Sequence, residues 1–193
     1  MAYSKGTLRE HLPYIIAVVL SFIVGLLYGL SYSPHEAERV SKSVFESLSE
    51  IAKFIEIGSI LAVILIFAKN ALTAFISLIV GPFSPLIVAY NGWILGALYV
   101  YFSNLGKSTF FIAGTVPHGI VEIPALILSG SCGLRLGILV LRKLRYKFEG
   151  LGFELITSLK PTFKLFLISL LLFMIAAVIE SFVTPIIIFI TST

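Results

Sequence analysis

The stretch FKLFLISLLLFMIAAVIESFVTPIIIFI, from Phe163 to Ile190, decides the fold class of this chain. Only two of its side chains, Lys164 and Glu180, carry a charge. A helix needs about 20 mostly apolar residues to cross the hydrocarbon core of a bilayer, and this run is longer than that. The stretch therefore predicts a transmembrane helix.

The rest of the 193-residue chain has the same character. Hydrophobic residues make up 58% of it and charged residues 12%, and its mean hydropathy is +1.05. Soluble domains usually carry about 25% charged residues, so this composition excludes a chain with water on every side. The single cysteine, Cys132, excludes an intrachain disulfide and a metal site built from several cysteines. We expect one membrane domain over residues 1–193.

Five apolar segments predict an all-α, polytopic transmembrane helix bundle of about five spans. They cover residues 13–32, 54–68, 86–102, 109–130 and 163–190. Residues 71–80 are apolar but too few to cross a bilayer, and Pro82 and Pro85 follow them. Proline removes a backbone donor and clashes with the preceding turn, so the helix should break there. We expect 71–85 to be either a re-entrant half-helix or the inner end of a bent span.

A polar segment, residues 34–53, separates the first two spans. Ser33 and Glu36 have the spacing of a capping box, and Pro34 suits the first helical position. Apolar residues then recur every three or four positions, which predicts an amphipathic helix. We interpret this segment as a solvated, extracytoplasmic helix that lies against the membrane domain, rather than as a separate binding module.

Residues 131–162 form the most basic part of the chain. Basic loops stay in the cytoplasm, so we expect a basic cytoplasmic loop or an interfacial helix on the inner leaflet of the cell membrane. Five spans then place the N-terminus in the cytoplasm and the C-terminus outside, and put Lys69, at the end of the second span, inside. A nucleic-acid interface is the alternative interpretation of a basic patch, and we do not expect one.

Two Gly-x-x-x-Gly motifs predict close helix packing. Gly25 and Gly29 lie in the first span, and Gly92 and Gly96 lie in the third. This spacing lets two helices approach closely, either within one chain or between chains. Because symmetric dimers are the commonest assemblies, we expect a homo-oligomer, with a dimer favoured. Lipid and other membrane proteins are the remaining expected partners.

The candidate polar residues in the middle of the predicted spans are His118, Glu122, Glu180 and Asn91. A charged group in the middle of a bilayer costs at least about 2.5 kcal/mol, so each should face protein or water. Measured from the outer ends of their spans at 1.5 Å per residue, all four fall in one central layer. We therefore expect His118, Glu122 and Glu180 to lie within side-chain reach of one another.

Three interpretations of this layer stay open. The favoured one is that the polar side chains hold helices together. The second is a proton, ion or metal site, with His118, Glu122 and Glu180 as candidate metal ligands. The third, a catalytic centre, is weakest, because His118-x-x-x-Glu122 lacks the second histidine of the H-E-x-x-H zinc motif. We expect no cofactor other than a metal ion at this layer, and enzymatic activity stays open, with its absence favoured.

The run TVPHGIVEIPA at 115–125, followed by SGSCGLRLG at 129–137, resembles the signature of the stage II sporulation protein M family. AAVIESF at 176–182 is similar to that family's final span, and Asn91-Gly92 and Leu95-Gly96 are similar to its central span. The resemblance covers about residues 81–185. It implies a multi-pass membrane scaffold, since the bacterial namesake works with cell-wall-degrading partners during engulfment, although the activity of many relatives is unknown.

These observations favour a membrane scaffold or complex subunit. The alternative is a transporter or channel that uses the buried polar layer, and an intramembrane enzyme is the third choice. A scaffold predicts a dry, packed polar cluster, whereas a transporter predicts a wet cavity that reaches the cluster from one side.

Overall fold

A computed structural model describes residues 4–52, 58–146 and 151–192. Its α-helices are α1 (Ser4–Leu30), α2 (Pro34–Ala52), α3 (Ile60–Val80), α4 (Ser84–Asn104), α5 (Ser108–Tyr146), α6 (Leu151–Val178) and α7 (Thr184–Ser192). A 3₁₀ turn, Gly81–Phe83, joins α3 to α4, and a π-helical turn, Ile179–Val183, joins α6 to α7. Within the described residues no strand occurs, which confirms the all-α prediction.

Among the described residues, four helical stretches are long and apolar enough to cross a membrane. They are Arg9–Leu30, Ile60–Asn104, Ser108–Arg145 and Leu159–Thr191. The second is 45 residues long, about twice what one crossing needs. The 3₁₀ turn divides it into α3 and α4, which have 21 residues each. The predicted class, a bundle of membrane-spanning helices, is confirmed.

α3 settles the two alternatives for residues 71–85. The segment 71–80 is the second half of one continuous helix, not a separate half-helix. The helix ends at Gly81, whose φ of 57° is a left-handed conformation that glycine adopts without steric cost. Lys69 therefore does not close a span: it lies in the middle of α3 and is exposed.

The two glycine motifs pack against each other within one chain. A Cβ atom at Gly25 would meet the backbone of Ala89, and one at Gly29 would meet the backbone of Trp93. The second motif, in α4, packs in return on the backbone of α1. Because both motifs are used inside the chain, they supply no surface for a dimer.

Contacts between distant residues fix the directions of the helices. α1 meets α5 at His11–Arg135 and Val18–Gly130. α5 meets α6 at Cys132–Thr162 and α7 at His118–Thr184. α3 meets α6 at Phe75–Phe166, and Ser59, just before α3, meets Ser181 of the π-helical turn. In each pair of helices, higher numbers on one side meet lower numbers on the other. Together with the α1–α4 contacts, they show that α1, α4 and α6–α7 run in one direction and α3 and α5 in the other.

α5 is the central helix, and it differs from the expectation for residues 131–162. It continues to Tyr146, where a loop or interfacial helix was expected, and α6 begins at Leu151. The physical reason is the run of small residues at 129–137. A Cβ atom at Gly133 would meet the backbone of Ser77, and one at Gly137 would meet Pro82, so α5 is wedged between α3 and α4. Lys147 lies outside the described residues.

α2 begins at the predicted capping box. The Ser33 hydroxyl and backbone amide donate to the Glu36 carboxylate at 2.6 and 2.8 Å. These two hydrogen bonds hold the pKa of the Glu36 carboxyl below its ordinary value, and the bond from the hydroxyl has the larger effect. Farther along, the Phe45 ring packs on Tyr101 and Phe102 of α4, so the apolar face of α2 lies on the bundle.

Candidate functional site

His118, Glu122 and Glu180 meet where α5 crosses the π-helical turn. One ring nitrogen and two carboxylate oxygens, one atom from each residue, lie within 4.8 Å of one another. We name these three residues the His–Glu cluster. All three are half-buried. α5 begins about 15 Å before His118, and α7 ends about 18 Å after Glu180, at 1.5 Å per residue.

Local irregularities in the helices present these side chains. His118 and Glu122 are four residues apart in α5, so they share one face of the helix. Pro117 and Pro124 bracket them, and each proline leaves the carbonyl four residues earlier without its helical donor. Glu180 lies in the π-helical turn, a feature that is frequent at functional sites because it turns side chains out of the regular helical pattern.

The His118 ring bridges from α7 to Glu122. Its Nδ1 atom lies 3.4 Å from Oγ1 of Thr184, which is within reach of a hydrogen bond. Its Nε2 atom lies 3.9 Å from Oε2 of Glu122, which is too long for one. The imidazole nitrogen and the carboxylate oxygen therefore face each other across a gap.

Lys69 of α3 is a cation in the surroundings of this cluster, although its side chain is exposed. Its charge influences His118, Glu122 and Glu180, and Glu180 also repels the Glu122 charge. The cluster and its surroundings thus combine two carboxylates, one imidazole and one ammonium group. Sequence reasoning misses Lys69, because it follows an apolar run and resembles the charged end of a span.

Asn91 lies in a different setting. Its side-chain amide donates to the carbonyl of Ile87 in its own helix at 2.8 Å. The next residue, Gly92, contacts α1. Depth along a span places Asn91 at a level in the bundle but does not say which neighbour its side chain meets.

Sequence reasoning also misses a second polar cluster, made of Glu10, His11, Arg135 and Thr162. Arg135 Nη2 donates to Glu10 Oε2 at 2.6 Å, and Nη1 lies 3.0 and 3.1 Å from the two ring nitrogens of His11. The His11 ring is fully buried and lies 3.2 Å from Oγ1 of Thr162. We name these four residues the Arg–His cluster, and it ties α1, α5 and α6 together.

One signal could have found the Arg–His cluster. Arg135 resembles the other basic residues of 131–162, but it alone stands between Gly133 and Gly137. Closely spaced glycines indicate a helix segment that packs against another backbone. Arg135 is two residues from each glycine and points to the opposite side of that segment, so an arginine there is buried and needs partners if further helices pack on that side as well. Cys132 belongs to the same region, where its thiol lies 3.5 Å from the carbonyl of Thr162.

Two grooves open on the described surface, and neither is lined by the His–Glu cluster. One, of about 400 Å³, lies between α2 and α4 and is lined by Glu36, Arg39 and Trp93 among others. The other, of about 630 Å³, lies between α1, α4 and α5 and has an almost wholly apolar lining that includes Phe111 and Ile120.

The chain is similar to known proteins over most of its length. The sequence profile of the family described as Stage II sporulation protein M matches residues 14–185. An uncharacterized protein of Methanocaldococcus jannaschii is 29% identical over 181 residues, which cover 93% of this chain and 81% of that relative. Among solved structures, none gives a significant match.

Proposed function

Because this chain belongs to the Stage II sporulation protein M family and its helices are long and apolar enough to cross a bilayer, we propose that it is a multi-pass membrane scaffold that assembles with other membrane proteins. The packing of α5 supports this proposal. Residues 129–135 are all buried and contact neighbouring helices through small side chains. Helices that pack backbone against backbone form a rigid bundle, because tightly packed interiors deform little. A rigid bundle presents the same surface to each partner.

Gly133→Ala tests whether this packing matters for assembly. A methyl group there would meet the backbone of Ser77, which cannot turn aside as a side chain can. We expect the free energy of unfolding to fall by about 1–3 kcal/mol and the assembled complex to dissociate. Gly119→Ala in the same helix is the matched control, since its methyl would make an ordinary 3.9 Å contact with Thr115.

The measurement is the mass of the protein in nanodiscs or mild detergent, by native mass spectrometry. A scaffold gives an assembly heavier than the 21.1 kDa chain. A monomer at every concentration would contradict the scaffold role. A complex that survives Gly133→Ala unchanged, while the protein is measurably destabilised, would show that partners do not depend on this packing.

We also propose that the assembly contains more than one copy of this chain, with a dimer as the simplest case. The glycine motifs are occupied within the chain, so the contact must use another face. α3 offers one, because its exposed residues are large and apolar on both sides of Lys69. They are Leu61, Ile64, Leu72, Phe75 and Ile76.

For orientation, we propose five passes in the cell membrane, with the N-terminus in the cytoplasm and the C-terminus and α2 outside. The helix directions support this, because the start of α1, the end of α5 and the start of α6 share one end of the bundle. That end carries Arg9, Arg142, Lys143, Lys160 and Lys164. Basic residues favour the cytoplasmic side.

Cysteine labelling with a membrane-impermeant reagent checks the orientation. Lys107→Cys, in the exposed link between α4 and α5, should react in intact cells, and Arg142→Cys, at the exposed end of α5, should react only after permeabilisation. The native Cys132 is fully buried and should stay silent. The reverse pattern would invert the topology.

One observation favours a second candidate function, proton or ion transport. Two carboxylates and an imidazole within 4.8 Å of one another, in helices of membrane-spanning length, are typical of an ion pathway. Flux into liposomes containing the purified protein tests it. Transport that is lost in Glu122→Gln would favour this function over the scaffold.

A further inference from the structure

We infer that the His–Glu cluster binds a divalent first-row transition-metal ion, with His118, Glu122 and Glu180 as its protein ligands. This inference goes beyond the scaffold role and does not rest on it. A bound ion would join α5 to the π-helical turn, whether the bundle serves as a complex subunit or in transport.

The donor set fits this class of ion. One imidazole nitrogen and two carboxylate oxygens converge from two elements of the bundle. Histidine and carboxylate together are ligands for zinc and its first-row neighbours, whereas calcium and magnesium sites use oxygen alone. His118 and Glu122 are four residues apart, a spacing that presents two ligands from one face of a helix.

The distances fit a shared ion better than a direct hydrogen bond. Two ligand atoms at about 2.0–2.1 Å from a tetrahedral zinc ion are separated by about 3.4 Å. Nε2 of His118 and Oε2 of Glu122 are 3.9 Å apart, so they need to close by only about half an ångström. A hydrogen bond between them would instead require about 2.7–3.2 Å. Rotation of the flexible Glu180 side chain can close the rest of the 4.8 Å spread.

A second contact prepares the histidine to be a ligand. Nδ1 of His118 lies 3.4 Å from Oγ1 of Thr184 on α7. Histidines that bind metals usually donate their other ring N–H to an oxygen, which fixes the tautomer and the ring orientation. A proton on Nδ1, shared with Thr184, leaves the lone pair of Nε2 directed at Glu122. Thr184 thus holds the ring from outside the cluster, and its hydroxyl can accept the Nδ1 proton of the tautomer that a metal requires.

Substitution of Lys69 distinguishes a metal site from a cluster that only holds helices together. In the metal-free protein its ammonium group offsets part of the charge of Glu122 and Glu180. A divalent ion balances both carboxylates by itself, so Lys69 then repels it. Lys69→Met should therefore tighten metal binding, while it removes a favourable charge from the metal-free protein.

The experiment titrates the full-length protein in nanodiscs, after chelator treatment, with Zn²⁺ by calorimetry and with Co²⁺ by its visible absorption. We expect one ion per chain. Glu122→Gln and Glu180→Gln should each weaken Zn²⁺ binding at least about tenfold, and Thr184→Val should weaken it about tenfold through the histidine. Lys69→Met should bind more tightly than the wild type.

His35→Ala is the control for adventitious binding, because His35 is exposed on α2 and distant in sequence from the cluster. It should bind Zn²⁺ as the wild type does. Equal affinity in the wild type and both glutamine variants would overturn the proposal, as would a failure to bind Zn²⁺ or Co²⁺.

The glutamine variants keep the side-chain shape, so helicity and size should match the wild type. If one of them fails to fold, the remaining variant and Lys69→Met still decide, because they should shift the affinity in opposite directions. If the protein forms an assembly but binds no metal, the proposed metal site is wrong and the proposed scaffold role is unaffected.

Discussion

The Arg–His cluster and the His–Glu cluster both join α5 to neighbouring helices, but their groups are paired differently. In the Arg–His cluster, Arg135 Nη2 lies 2.6 Å from the Glu10 carboxylate and His11 lies 3.2 Å from a hydroxyl. In the His–Glu cluster the ring and the Glu122 carboxylate are 3.9 Å apart, and their side chains are 15% and 30% exposed. The groups of the first cluster are within hydrogen-bond distance of one another, and His118 and Glu122 of the second are not.

The difference separates a structural role from a ligand-binding one. An arginine presents five donors, so Arg135 can serve a carboxylate, a ring and a hydroxyl at once. Ionised carboxylates only accept hydrogen bonds, so Glu122 and Glu180 cannot satisfy each other. Burial of unsatisfied charge is expensive, so the two carboxylates need a proton or a cation, and the single charge of Lys69 can offset only part of theirs. We therefore expect the first cluster to determine stability and the second to determine binding.

The largest expected effect is that of Arg135→Met. It keeps most of the apolar stem and removes every donor, which leaves His11 and Thr162 buried with fewer partners. Removal of one partner from a buried charged network typically costs about 3–5 kcal/mol, and we expect a loss of that size in the free energy of unfolding. Denaturant or thermal unfolding in a mild detergent measures it.

Arg142→Met, two turns later in α5, is the matched control. Its side chain is exposed, so we expect a change within about 0.5 kcal/mol. Equal effects of the two substitutions would mean that the Arg–His cluster contributes no more than a surface charge, and the contrast between the clusters would then disappear.

Glu180 should show a smaller effect that depends on the substitution. In metal-free protein, Glu180→Gln keeps the shape and the acceptor oxygen, so the unfolding free energy should stay close to that of the wild type. Glu180→Leu removes the polar atoms and should cost about 1–3 kcal/mol, because Lys69 loses a nearby carboxylate. Melting curves of both variants with and without added Zn²⁺ measure this. A stability gain from Zn²⁺ in Glu180→Leu would contradict a ligand role for Glu180.

Sequence reasoning reached the fold class, and it singled out the three residues that lie together in the His–Glu cluster, for physical reasons that apply along a single helix. Apolar run length fixes the membrane class, and the cost of a carboxylate in lipid predicts that Glu122 and Glu180 face each other. The family motif around His118 predicted the family, which the match over residues 14–185 confirms.

The rest depends on which helices become neighbours, and no local pattern carries that information. His11 and Arg135 are 124 residues apart and meet only because small residues allow α5 to enter the bundle. Lys69 has the sequence signature of a span end, yet α3 continues past it, because most of the residues from Ala71 to Val80 are again apolar. Asn91 was placed by depth, which does not determine the face of a helix.

The smallest expected effect concerns the capping box of Ser33 and Glu36, whose polar contacts are exposed to solvent, unlike those of the two clusters. Hydrogen bonds from the Ser33 hydroxyl and amide lower the pKa of Glu36 in the folded state. A lowered folded pKa means that the contribution to stability is present above the unfolded pKa and is lost as the pH falls through the folded value. Acidification should therefore loosen the first turn of α2.

The Glu36 titration followed by NMR should have a midpoint below that of an ordinary glutamate, and Ser33→Ala should move it upward. Ser47→Ala is the control, because that hydroxyl donates to a carbonyl within α2 and does not touch Glu36. An identical midpoint in the wild type and Ser33→Ala would show that water serves Glu36 as well as Ser33 does, which would limit the stabilising role of polar contacts to the buried clusters.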